Sequence, residues 1–148
     1  MFKALLDLLA EPRQPAPLTA DDAELALAAL LVRLARADNN YDDSERIRIE
    51  RVLANRRGLS PWEAADLRSR AEVVEEGAPD TVRFTRALKE KIAYEDRAGV
   101  IEALWDVALA DEARSPEEDA LIRLAASLLG VNDRDSALAR QRVEARRL

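Results

Sequence analysis

Two stretches of this chain repeat one pattern of apolar, acidic and helix-starting residues. Residues 34–53 read LARADNNYDDSERIRIERVL, and residues 107–126 read VALADEARSPEEDALIRLAA. Each stretch holds an apolar run, an Ala-Asp pair, a short polar break and a capped start to a second apolar run. Two copies are too few for a solenoid. The pattern predicts two related helical hairpins that pack against each other within one domain.

The composition is typical of an all-α domain. The 148 residues are 48% apolar but only 4% aromatic, so that Ala and Leu dominate, and glycine occurs four times. Ala, Leu, Glu and Arg are strong helix formers, and this length suits one domain with a real core. We therefore expect a single helical domain without a β-sheet.

Missing residue types exclude several kinds of functional site. The chain has no histidine and no cysteine, which removes the commonest general base, thiolate nucleophiles and zinc-finger sites. Its net charge is −6, and an acidic domain of this kind is a poor nucleic-acid binder. No apolar run is long enough to span a bilayer, and Asp7 interrupts the N-terminal apolar stretch, which argues against a signal peptide.

Residues 1–18 are expected to form an N-terminal amphipathic helix and a proline-rich tether, before a main domain over residues 19–148. The helix would carry its apolar side chains on one face: Phe2, Leu5, Leu6 and Leu9. The prolines that follow favour an extended strap. The helix could dock back on the domain, contact a membrane surface through residues 2–9, or enter a groove of a partner.

Local signals place the helix boundaries of the main domain. Thr19 is expected to cap the first helix, Asp42 the second, and Ser60 and Ser115 two more through Ser-Pro-x-Glu sequences. A further helix is expected from about Pro79 to Ala93, followed by a break near residues 94–96. The last helix ends in a run of arginines, which we interpret mainly as a solvated helix end, the alternative being a surface for a nucleic acid or an acidic partner.

The acids of the two copies lie where a functional site is first sought. Asp38 and Asp111 each close the apolar face of one helix, while Glu45 and Glu118 each open that of the next. Because the breaks are short, each Asp and Glu should approach one corner of the hairpin.

Three kinds of partner could satisfy carboxylates at these corners. Backbone N–H groups of the turn and the helix cap are the first, and Ca²⁺ or Mg²⁺ with carbonyls and water is the second. A neighbouring arginine such as Arg48 or Arg114 is the third. An EF-hand is excluded, because Asp43 replaces its glycine and Ile49 replaces its bidentate glutamate.

These features resemble the TerB-like tellurite resistance domain over roughly residues 20–131. The second copy, ALADEARSPEEDALIRLAASLLGV, is the closer match. Members of that family usually have glycine after the Asp, where this chain has Asn39 and Glu112. Asn tolerates a left-handed backbone better than Glu does, so the second turn is expected to differ.

The resemblance implies an all-α fold of seven to eight helices and a non-enzymatic interaction or scaffold role in tellurite or chemical stress resistance. It also implies a cytoplasmic location, action with a membrane-bound protein partner, and a divalent cation, Ca²⁺ or Mg²⁺, at positions Asp38, Glu45, Asp111 and Glu118. The alternative is a carboxylate-metal-dependent hydrolase of phosphate esters. That activity would need a pocket of about 300 Å³ or more beside the acids.

Overall fold

The computed structural model describes residues 23–37, 39, 41–78, 80–110 and 115–146, and these residues form seven α-helices without a strand. In chain order the helices are α1 (Ala23–Arg36), α2 (Asp43–Arg57), α3 (Pro61–Glu76), α4 (Val82–Lys91), α5 (Tyr94–Ala108), α6 (Pro116–Leu129) and α7 (Asp133–Arg146). The prediction of an all-α domain with seven to eight helices is confirmed.

Helix α1 lies at the centre of the molecule. Its residues from Ala26 to Val32 are all buried, so the helix is covered on every side rather than on one stripe. It packs against α2, α3, α4, α5 and α6, whereas α7 packs on α5. The apolar core therefore surrounds α1, and the other helices bury one face each against it.

Several predicted helix starts and stops are confirmed. Ser60 and Ser115 each form a full capping box with the glutamate three residues later, and each is followed by proline. The Asp42 side chain accepts a hydrogen bond from the Glu45 N–H at 3.0 Å. Gly58 ends α2 in the left-handed conformation, with φ of 66°. Glycine adopts this conformation readily because it has no Cβ atom to clash with the backbone.

The fourth and fifth helices begin and end at other residues than expected. Helix α4 begins at Val82, whose N–H donates to the Asp80 carboxylate, and it ends at Lys91. The break lies at residues 92–93, and Tyr94 already belongs to α5. The acidic residues of the expected break instead occupy the first turn of α5, where the helix dipole favours negative charge.

The arginine Arg97 joins the ends of two helices to α5. Its guanidinium donates to the carbonyl oxygens of Lys89 and Ile92 at the end of α4 and to that of Leu129 at the end of α6. These carbonyls have no partner within their own helices. Arg97 thus satisfies them and fixes α4 and α6 around α5.

Several predictions fall outside the described residues. The helix and tether of residues 1–18, the boundary at residue 19 and the Thr19 cap are among them. The hairpins α1–α2 and α5–α6 pack against each other, but the pseudo-repeat stays a prediction, because much of both turns (38, 40 and 111–114) is not described. Among the seven helices, none has the length and apolar character needed to cross a bilayer.

Candidate functional site

The acidic corners are described in part. Asp38 and Asp111 lie outside the described residues, whereas Glu45 and Glu118 are both buried. Asn39, in the first turn, has a φ of 62°, as expected for an Asn at a position where the family usually has glycine. The guanidinium carbons of Arg36 and Arg46 lie 5.1 and 4.7 Å from the ring centre of Tyr41.

Glu45 and Glu118 occupy the same place in their helices. Each is the third residue after the N-cap. The Glu118 carboxylate accepts hydrogen bonds from the Ser115 N–H and hydroxyl, both at 3.2 Å, while the Glu118 N–H donates to that hydroxyl at 3.1 Å. These bonds are of the kind that the first of the three explanations for a buried acid at this position describes.

The described residues give the predicted cation site limited support. They contain no group of three or more acidic side chains that could hold a metal ion. Ca²⁺ and Mg²⁺ prefer six or more oxygen ligands, some of them water. A cation at the corners would therefore depend on Asp38 and Asp111, and the four-residue site stays a prediction.

A groove of about 810 Å³ lies next to the corners. We call it the arginine groove, after four arginines that line it: Arg48, Arg51, Arg56 and Arg146. It runs along α2, with Asp106 of α5 and Ala110 beside it. The sequence analysis singled out Arg48 only as a neighbour of the acids, and the arrangement of four arginines was missed, because it joins α2 to the end of α7.

Two acidic side chains of α5 form ion pairs with arginines of the arginine groove. Arg56 of α2 contacts Asp106 at 2.9 Å and Glu102 at 3.6 Å. Arg146 of α7 contacts Glu102 at 3.1 Å, and Arg142 contacts the other Glu102 oxygen at 3.0 Å. The ion pairs therefore connect α2 and α7 through α5.

The basic end of the last helix is thus not simply solvated. Besides the two arginines that bind Glu102, Arg140 lies over the ring of Trp105, with its guanidinium carbon 4.9 Å from the ring centre. The interpretation of this run as a solvated helix end agrees with the exposure of the Arg142 and Arg146 side chains, 48% and 53%, but it missed their ion pairs with Glu102. They hold α7 on α5, a contact that arginine spacing along the chain could not reveal.

The arginines around Glu102 change its acidity. Burial alone would raise the pKa of the Glu102 carboxyl, but hydrogen bonds from Arg142 and Arg146 and the charge of Arg56 outweigh burial and lower it. On α3, burial likewise opposes a lowered pKa of Glu72, which is set by the neighbouring Tyr41 hydroxyl and by Arg46 and Arg68. Both carboxylates are therefore stabilised in the charged form.

These lowered pKa values predict a loss of stability in acid. The unfolded-state pKa of a glutamate is near 4.5 and the folded-state pKa of Glu102 and Glu72 lies below it, so their contribution is complete above pH 4.5. This stabilising contribution is lost as the pH falls below 4.5 and through the folded-state pKa values of the two carboxyl groups. Urea unfolding from pH 7 to pH 3 should show a free energy of unfolding that falls in this lower window. Glu102→Gln should reduce the slope there, and an unchanged slope would contradict the prediction.

The groove also bears on the hydrolase alternative. It exceeds the required volume, and Ser44 and Ala110 in its lining adjoin Glu45 and Asp111 in the sequence. Its described lining, however, has one carboxylate, Asp106, which pairs with Arg56. Guanidinium groups repel a metal cation and attract anions. The lining is therefore suited to an anionic partner rather than to a carboxylate-metal centre.

The comparisons with known proteins agree with the fold. No curated protein and no solved structure matches the chain. The model of one family, described as Tellurite resistance protein TerB, matches residues 24–141, from the first turn of α1 into α7. Most of the chain is covered by this match, and the chain belongs to the TerB family.

Proposed function

We propose that this protein is a non-enzymatic interaction module of a tellurite or chemical stress response system, cytoplasmic and acting with a protein partner that is itself membrane-bound. The observation that carries the proposal is the family match over residues 24–141. The family's description names tellurite resistance, and the covered residues include every residue of the α1-centred core except Val143.

The surface of α3 supports an interaction role. Trp62 is 75% exposed and Val73 is 71% exposed. They are eleven residues apart, three helical turns, and so lie on the same outward face. Single exposed apolar residues are common, but a largely exposed tryptophan in line with an exposed valine is more typical of a contact surface.

Growth in tellurite tests the proposal. Cells from which the gene has been deleted should stop growing at a tellurite concentration that the parent strain tolerates, and the wild-type gene should restore growth. A Trp62→Ala variant that folds normally should restore growth less well, whereas Val74→Ala, at the half-buried neighbour of Val73, serves as the control on the same helix. Unchanged growth of the deletion strain would contradict a role in tellurite resistance.

The cation prediction has a separate test. If Asp38, Glu45, Asp111 and Glu118 hold Ca²⁺ or Mg²⁺, millimolar cation should raise the thermal unfolding midpoint, because a ligand at 100 times its Kd stabilises by about 2.7 kcal/mol. Glu118→Gln should abolish the rise while keeping a helix cap, since glutamine can replace glutamate in a capping box. Glu117→Gln, at the exposed neighbour in the first turn of α6, is the control. A midpoint that neither cation moves would leave these acids with their hydrogen-bonding role alone.

A further inference from the structure

The arginines of α2 divide into two groups according to their partners. Three of them are in ion pairs: Arg46 with Asp43 and Glu72, Arg56 with Asp106 and Glu102, and Arg57 with Glu24. Arg48 and Arg51 are the other two, and neither has an ion-pair partner among the described residues. Both line the arginine groove. The unpaired charge of α2 is therefore concentrated where the surface is concave.

The spacing of Arg48 and Arg51 makes this arrangement unfavourable for the helix by itself. Residues three apart are neighbours on a helix surface, and like charges there repel each other. Asp106, the carboxylate of the described lining, does not offset this repulsion, because it is already bound to Arg56 at 2.9 Å. An acceptor from outside the described residues would relieve it.

The groove also presents apolar surface beside these charges. Ile47 is 50% exposed, and Val52 is half-buried in the same lining. The lining of α2 extends from Ser44 to Arg56, which is about 18 Å along the helix axis. A small oxyanion between two guanidinium groups would leave most of this length and both apolar side chains uncovered.

We propose that the arginine groove binds an acidic, amphipathic helical segment of a partner protein, which lies along α2. Its carboxylates would bind Arg48 and Arg51, and its apolar side chains would cover Ile47 and Val52. A short amphipathic helix in a groove is a common mode of peptide recognition. This inference rests on the proposed role as an interaction module and adds the chemistry of the partner.

A direct binding assay tests the groove. The probe is a fluorescent helical peptide of about 12 residues, long enough to match about 18 Å of groove, with leucines on one face and glutamates beside them. A second peptide has lysine in place of each glutamate. Fluorescence polarisation with the full chain should show binding of the acidic peptide and not of the basic one. Raising NaCl from about 50 mM to about 300 mM should weaken binding, because salt screens exposed charges.

Charge reversal in the groove should weaken binding of the acidic peptide. The double variant Arg48→Glu, Arg51→Glu is expected to bind at least about tenfold more weakly, from the loss of two exposed ion pairs and the added repulsion. The control is Arg123→Glu, Arg134→Glu, at exposed arginines of α6 and α7 without a described partner. It alters the net charge of −6 equally and should bind like the wild type. If the first variant melts early, Arg48→Ala, Arg51→Ala removes the two charges without reversing them and should also weaken binding.

Other results would overturn the inference. The acidic peptide could fail to bind, or both double variants could lose binding equally. The groove could also prefer inorganic phosphate or a single-stranded oligonucleotide, or the chain could form a dimer that Arg48→Glu, Arg51→Glu abolishes. Complementation separates this failure from that of the proposed function. If the wild-type gene restores growth in tellurite and the groove variant does so equally, the groove inference fails while the module role stands.

Discussion

Glu75→Ala is expected to lower the free energy of unfolding by about 3 kcal/mol, because it leaves two guanidinium groups without their carboxylate in a mostly buried place. Glu75, near the end of α3, is 8% exposed. Arg33 of α1 donates to one of its carboxylate oxygens at 3.0 Å, and Arg36 donates to the other. Urea unfolding followed by circular dichroism measures the loss.

The surroundings of Arg33 explain why the loss should be large. Its guanidinium also donates to the carbonyl oxygens of Glu75 and Ala78, at 3.3 and 2.7 Å, and lies over the ring of Phe84 at 5.3 Å. Arg33 therefore cannot turn to water without giving up the contacts that hold the turn between α3 and α4 against α1. Its charge would stay desolvated in the variant.

Glu76→Ala is the matched control. The same substitution is made one residue later in the same helix, at an exposed side chain, so that the effect on helix propensity is shared. A change within about 0.5 kcal/mol is expected there. If Glu75→Ala cost no more than the control, the ion pair would be screened by solvent and the α1–α3 contact would depend on apolar packing alone.

Helix starts could be predicted from the sequence because the interactions that set them are local. The Ser-Pro-x-Glu sequences at Ser60 and Ser115 place cap, proline and glutamate within four residues, and both form the expected capping boxes. Gly58 and Gly130 are likewise local stops, both with positive φ. The burial of Glu45 and Glu118 also followed from helical periodicity, since each lies on the apolar stripe of its own helix.

The arrangement of charges could not be predicted, because it depends on which helices pack together. Arg33 and Glu75 are 42 residues apart, and Arg142 and Glu102 are 40 apart. Nothing in the α2 sequence separates the paired Arg46 from the unpaired Arg48. The predicted position of the break at residues 94–96 was wrong for a different reason. Acidic residues occur in the first turn of a helix as well as in loops, so they did not distinguish the two.

The position of α1 leads to the second large effect, which is expected for Leu31→Ala. Leu31 is fully buried at the centre of a helix that packs against five others, so the variant should leave a cavity that the surrounding helices cannot close. The expected loss is about 3 kcal/mol, the usual cost of removing a buried leucine side chain. Leu124→Ala is the control, because it deletes the same atoms from a side chain that is 47% exposed on α6.

The two tryptophans show whether this loss is global. Trp62 lies in α3 and Trp105 in α5, and α1 packs against both helices. If the core around α1 is one cooperative unit, fluorescence of the two single-tryptophan versions of Leu31→Ala should report the same urea midpoint, below that of the wild type. Different midpoints would show that α3 and α5 unfold separately, and the single core proposed around α1 would then be wrong. The same measurement on Leu124→Ala should leave both midpoints near the wild-type value, because the outer face of α6 contributes little to that core.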